Sequence, residues 1–201
     1  MNLSKYEGKI VRVFDKDGYI FTGYAAMFSP EYGLHEFGRE EESVLINYCQ
    51  IFESDIREIM ELPDISVQRI TDPHAREEVF HAWLLEKDAM VPDPAVRDRE
   101  RETKLTVITD KGYPIAWGVM EPMEEGNIRL DYVTVKKEYR NLGIAAMTIS
   151  ECEAWAEALH FAKMTVFTPK RFVKFWDLML YEAARKSGEE TPGIFRMEKI
   201  L

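Results

Sequence analysis

The chain has 201 residues, of which 31% are charged, and a formal net charge of −10. That balance gives it no electrostatic reason to seek DNA, RNA or an anionic membrane, and suits a basic or amine-bearing partner better. The two cysteines, Cys49 and Cys152, form no CxxC pair, so no disulfide framework or zinc site is expected and a reducing cytoplasm fits; no apolar leader or membrane-length run is present.

Residues 1–62 read as short strands joined by turns. Lys9–Phe14 alternates, Asp15-Lys-Asp-Gly18 is a hairpin turn, and Tyr19–Phe28 returns, with Gly23 marking a bend or bulge. Residues 29–42 hold Pro30, Gly33 and Gly38 and read as a loop. Ser43–Asn47 is a further strand, and Tyr48–Phe52 leads into residues 53–62, where Ile56 and Ile59 are the inner face of a last strand or of a helical turn. Five short strands with one bent make a small β-barrel. This segment resembles the Sm-like fold through Tyr6-Glu-Gly-Lys-Ile-Val-Arg-Val13, Asp17-Gly18, Gly23, Ser43-Val-Leu-Ile46 and Asp55-Ile56. The Arg-Gly signature of RNA-binding Sm domains is missing; Asn47-Tyr48-Cys49 stands near that place. Residues 1–62 also carry 6 Lys and Arg against 12 Asp and Glu. Nucleic acid is therefore disfavoured as a partner, and a packing or dimerising module is expected, since small barrels keep edges that pair.

Leu62-Pro63-Asp64 is the expected boundary, which gives domains of 1–62 and 63–201. Beyond it, Ile65–Ile70 alternates as a strand. Asp72 caps and Pro73 opens a helix to about Lys87, and residues 95–103 form a short charged helix. Three strands follow, Leu105–Thr109, Tyr113–Met120 and Ile128–Val135, separated by turns at Lys111-Gly112 and Met123–Gly126. The last strand runs into the stretch about which the chain is organised, Arg140-Asn-Leu-Gly-Ile-Ala145. A strand there turns into a small-residue helix start. A row of unpaired N–H groups and the positive helix end attract anions, and Gly143 and Ala145 leave room for a close diphosphate. On local chemistry alone it is equally a plain turn. The helix continues to about Leu159, and Lys163–Phe167 is a strand parallel to Ile128–Val135.

The order of these elements, with Arg140-x-x-Gly143-x-Ala145 behind Val133-Thr-Val135 and Tyr139, resembles the GCN5-related N-acetyltransferase (GNAT) family from about Ile65 to Leu201. The chain is thus expected to be a two-domain α+β/α/β protein. A five-stranded Sm/SH3-like barrel precedes a GNAT fold, a mainly antiparallel mixed sheet of about seven strands flanked by about four helices. The resemblance also bears on the tail. Local propensity extends the helix of Arg171–Leu180 through Lys186. The family pattern instead ends it near Tyr181, followed by a strand over Tyr181–Arg185, a turn over 186–192 and a final strand over Ile194–Ile200.

The resemblance implies acetyl-CoA as co-substrate and a small-molecule or peptide amine as acceptor. Its site would be Val133, Thr134 and Val135 beside the thioester and Arg140, Asn141, Leu142, Gly143, Ile144 and Ala145 around the diphosphate. In the family the central strand splays from its parallel neighbour at Val133–Val135, and pantetheine fills the gap. Asp131 stands where similar enzymes carry a glutamate base, and burial there would favour proton uptake; a surface Asp is the other reading. Glu121, Glu124 and Glu125 are weaker alternatives. The family's helix tyrosine, which protonates the thiolate, is replaced by Trp176 after Phe175. His35, His74, His81 and His160 show no metal spacing, and no metal is expected. The leading function is an acetyl-CoA-dependent N-acetyltransferase whose barrel serves oligomerisation or substrate presentation. The alternative is a CoA-binding or catalytically silent regulatory or scaffold protein; RNA association through the barrel ranks last.

Overall fold

The computed structural model describes residues 2–72, 74–75, 103–184 and 193–201. The N-terminal part is built from β1 (Ile10–Asp15), β2 (Ile20–Phe28), the helix α1 (Pro30–Phe37), β3 (Ser43–Ile46), β4 (Cys49–Phe52) and β5 (Ile56–Glu61). They form one antiparallel sheet in the order β4-β3-β2-β1-β5. Val11 and Val13, and Val44 and Ile46, turn inward as a period of two places them, with Ala25 and Leu3. Ile56 and Ile59, three residues apart, both turn inward because the β1–β5 register shifts by one residue at Phe14/Asp15.

Two expectations fail in this part. The sheet is open, with β4 and β5 at its edges and no ladder between them among the described residues, so no closed barrel forms. Alternation specifies which faces are apolar and which strands follow a turn; closure needs the end strands to meet. Here a single turn of 3-10 helix, Glu53–Asp55, takes the chain to the far side of β1. Residues 30–37 are also not a loop. Ser29 caps the helix by accepting from the Tyr32 N–H, Pro30 fills a first-turn position, and Gly38 closes it in the left-handed conformation at φ 71°. Gly23 causes no register shift; a Cβ there would lie 2.6 Å from Asn47 Oδ1.

The second sheet has the order β11-β12-β10-β9-β8-β7-β6. Its strands are β6 (Ile65–Ile70), β7 (Lys104–Asp110), β8 (Tyr113–Pro122), β9 (Asn127–Val135), β10 (Lys163–Pro169), β11 (Glu182–Ala183) and β12 (Ile194–Ile200). Among the described residues only β9 and β10 pair in parallel, and α2 (Ile144–Ala158) follows β9 and α3 (Val173–Leu178) follows β10. The tail thus follows the hairpin reading: Leu180 at φ 65° turns the chain out of the helix before β11. The Asp72 cap is present, its Oδ1 accepting from the Ala75 N–H at 2.9 Å. The expected helix bodies of 73–87 and 95–103 lie outside the described residues.

α2 is the hinge of the architecture. Ile144, Met147, Thr148, Ile149, Cys152, Glu153, Trp155 and Ala156 are all buried, a band too wide for one interface. One side lies on the large sheet, where bare Gly118 on β8 makes room for Cys152 and Thr148. The other side meets the N-terminal sheet. There Ile10 of β1 joins Ile65, Ile108, Ile115, Ile144 and Met147 in one cluster.

Burial gives a pH dependence. The Cys152 thiol is pushed from 9.0 up to about 12, chiefly because desolvation disfavours the thiolate. The folded state therefore holds a proton that the unfolded state releases first. Its contribution is intact below 9.0 and is lost as pH rises through the window towards about 12. Denaturant midpoints measured across that range should fall, and Cys152→Ala should flatten the slope.

Candidate active site

The site is assembled by the end of β9 and the start of α2. β9 and β10 pair only through Asn127–Arg129 and Lys163–Thr165. β9 then continues to Val135 and β10 to Pro169 without a shared ladder, so the strands part where the splay is expected. On the other side β9 stays paired with β8 through Val135. The Lys136 N–H donates to the Ile115 carbonyl at 2.9 Å. Antiparallel alternation then turns Thr134 towards β8, and the N–H groups of Val133 and Val135 towards the gap. Those donors suit a carbonyl lying between the strands.

Beyond Val135 the chain makes a short 3-10 turn, Lys137–Tyr139, and the loop to α2. The Tyr139 hydroxyl donates to Asp110 Oδ2 at 2.7 Å and anchors the turn on β7. Arg140 folds back, its Nε donating to the Val135 carbonyl at 3.0 Å. Asn141 at φ 60° and Gly143 at φ 76° reverse the chain into the helix. Among the described residues no side chain caps α2, and its first turn carries no acidic residue. Among the described residues the N–H groups of Gly143, Ile144 and Ala145 find no acceptor. A Cβ on residue 143 would lie 2.6 Å from the Thr22 backbone nitrogen. This is a row of donors at the positive end of a fifteen-residue helix, with glycine required for steric as well as conformational reasons. These residues fit a diphosphate.

Asp131 lies on β9 at its bulge. Val119 of β8 pairs with Tyr132 and Met120 with Leu130, which leaves Asp131 as the extra residue. A bulge re-aims a side chain, here one buried to 6% exposure and ion-paired through Oδ1 to Arg129 Nε at 2.6 Å. Arg129 also bridges to Glu121 on β8. Two carboxylates thus share one guanidinium beside the splay, a network that reading β9 in isolation did not reveal. Glu124 and Glu125 sit apart, in the β8–β9 turn.

The position where the family's acid is expected is apolar and committed. Trp176 on α3 donates its indole N–H to Thr168 Oγ1 at 3.0 Å and stacks edge-on with Tyr181, centroids 5.0 Å apart. Tyr181 is itself buried, and burial, then the nearby Glu153, push its phenol far above the ordinary range.

The acetyltransferase (GNAT) family model matches residues 59–173, more than half of the sequence. The chain belongs to the acetyltransferase (GNAT) family. It is therefore an acyltransferase whose co-substrate is acetyl-CoA, and the family acts in general on small-molecule or peptide amines. Solved structures agree in fold. A protein from Lactobacillus plantarum described as an N-acetyltransferase superposes with a TM-score of 0.56 at 20% identity, covering 68% of this chain and 98% of its own. Escherichia coli ElaA gives 0.52 at 11% identity over 67% and 99%, and the IAA acetyltransferase from Bacillus cereus 0.51 at 14% over 68% and 99%. The chain matches no curated protein sequence. Among the described residues of this GNAT protein, no helix is long and apolar enough to cross a membrane.

Proposed function

We propose that this chain transfers the acetyl group of acetyl-CoA to a primary amine. The observation that carries the reading is the uncapped start of α2 directly beside the splay of β9 from β10. On this reading Gly143, Ile144 and Ala145 hold the diphosphate through their N–H groups, with Asn141 and Leu142 shaping the turn and Arg140 stapling it to β9. When bound, acetyl-CoA supplies the activated thioester. Val133 and Val135 offer N–H groups to the thioester carbonyl, and Thr134 keeps the strand paired to β8.

Asp131 is the proposed base. Arg129 occupies its carboxylate, so the acceptor amine has to take the place of the guanidinium, which Glu121 retains. Trp176 and Phe175 offer sulfur no proton, so the leaving thiolate is protonated by water. The same two features, a salt-bridged base and a missing acid, favour a second reading, a CoA-binding protein without turnover.

Thiol release on a panel of amines separates the two. The first reading expects turnover that falls by about 100-fold or more in Asp131→Asn, the usual size of a general-base effect. A wild-type protein that binds acetyl-CoA yet transfers to no amine supports the second, and full rate in Asp131→Asn removes Asp131 as the base.

The division at residues 62/63 and an Sm-like origin of the first part belong to this proposal. The strand order, with β2 shared between β1 and β3, supports the latter. Its open edges at β4 and β5 are where a second copy would pair.

A further inference from the structure

The N-terminal sheet reaches the cofactor loop itself. Thr22 on β2 is fully buried, and its hydroxyl donates to the Leu142 carbonyl at 2.5 Å, across 120 residues of sequence. The same hydroxyl accepts from Arg12 Nε at 3.1 Å; Arg12 faces Thr22 directly across the β1–β2 ladder. Behind it, Asn47 Nδ2 donates to the Thr22 carbonyl at 3.2 Å and holds the β2 backbone in place. The Thr22 nitrogen occupies the space that a side chain on residue 143 would need. Among the described residues no carboxylate pairs with Arg12.

A trans peptide is planar, with its C=O and N–H on opposite sides. Fixing the Leu142 carbonyl against Thr22 therefore fixes the Gly143 N–H in the opposite direction, away from the N-terminal sheet. A hydrogen bond to that carbonyl also polarises the amide, and the Arg12 guanidinium polarises the hydroxyl in turn. The chain of donors runs from guanidinium to hydroxyl to carbonyl and leaves a stronger, pre-aimed donor at Gly143 N–H. Partial burial lowers the pKa of Arg12, as expected for a guanidinium partly withdrawn from water.

We infer that Thr22 and Arg12 are positioning residues for the coenzyme. The N-terminal sheet is the backstop that aims the Gly143 N–H at the diphosphate and strengthens it as a donor. The inference rests on the reading of the α2 start as the diphosphate site. It gives the N-terminal part a role within the chemistry of this same chain.

The test compares CoA with pantetheine, which shares the arm but lacks the diphosphate. Both are titrated, by calorimetry and by NMR, into the wild type, Thr22→Val, Thr22→Ser and Arg12→Gln. Thr22→Val removes the hydroxyl at nearly constant volume and should weaken CoA about tenfold, the worth of one charge-assisted hydrogen bond. Thr22→Ser should restore CoA binding to within about twofold, and Arg12→Gln should weaken it by several fold, since each keeps or removes one link of the chain. Pantetheine should bind all four proteins alike. Equal CoA affinity in Thr22→Val and wild type overturns the inference while leaving the diphosphate site standing. A parallel loss for pantetheine overturns it as well, by showing a general structural role. No CoA binding by the wild type overturns the diphosphate reading and this inference together.

Discussion

Replacing Glu153 by alanine lowers the unfolding free energy by roughly 3–5 kcal/mol, the cost of leaving one charge of a buried pair without its partner. Glu153 on α2 is 2% exposed and takes the Lys199 ammonium of β12 at 3.0 Å. The Tyr48 hydroxyl, from the β3–β4 turn of the other sheet, donates to the same carboxylate oxygen. Lys199 lies 3.4 Å from the centre of the Tyr48 ring and donates to the Met179 carbonyl at 3.1 Å. One carboxylate therefore ties together α2, the last strand and the N-terminal sheet. Without it an ammonium stays buried among aromatic rings. For a chain of this length the loss corresponds to a fall in Tm of about 10 °C or more. Denaturant titration checks the free energy. The Glu153→Leu, Lys199→Met double variant should lose far less, because no unpaired charge remains. A loss under about 1 kcal/mol for the single variant would show that water reaches the cluster.

The second large effect is on the coenzyme. Gly143→Ala should abolish measurable acetyl-CoA binding, a loss of about 100-fold or more. Alanine at φ 76° carries the left-handed penalty of about 1–2 kcal/mol. Its Cβ would also stand 2.6 Å from the Thr22 nitrogen, which is backbone and cannot rotate aside. Relief requires the loop to swing off the N-terminal sheet, which misaims the Gly143, Ile144 and Ala145 donors. Calorimetry should read the lost affinity. A circular-dichroism melt should show that the rest of the fold persists, since the strain is confined to one turn.

The large sheet was legible because its signals are local. Alternation in 104–135 is punctuated by Lys111-Gly112 and by the Met123–Gly126 turn, and the structure follows both. The turn from β9 into α2 was legible for the same reason: strand, turn and helix start are contiguous. The tail was not legible from propensity, since Tyr181-Glu-Ala-Ala favours helix; the family pattern supplied the strand. α1 is not legible because Pro30, Gly33 and Gly38 read locally as breakers. In place they are an initiator, a spacer and a terminator, and Gly33 is bare because a Cβ would meet the Arg39 carbonyl oxygen at 2.6 Å. Closure of the barrel was expected from strand count alone, and count does not bring β4 to β5.

What no periodicity carried were the contacts between distant residues. Thr22 against Leu142 and Tyr48 against Glu153 join segments more than a hundred residues apart. The sharing of Arg129 by Glu121 and Asp131 depends on a bulge, which shifts one strand by a single residue and leaves no mark in composition.

The central claim is that the α2 start and the β9–β10 splay form one acetyl-CoA site. A crystal structure of the acetyl-CoA complex tests it most directly. The account predicts the diphosphate within hydrogen-bonding distance of the Gly143 and Ala145 N–H groups, the pantetheine arm between β9 and β10, and the thioester carbonyl beside Val133 and Val135. A coenzyme bound elsewhere, or one whose diphosphate leaves those amides unpaired, would contradict it.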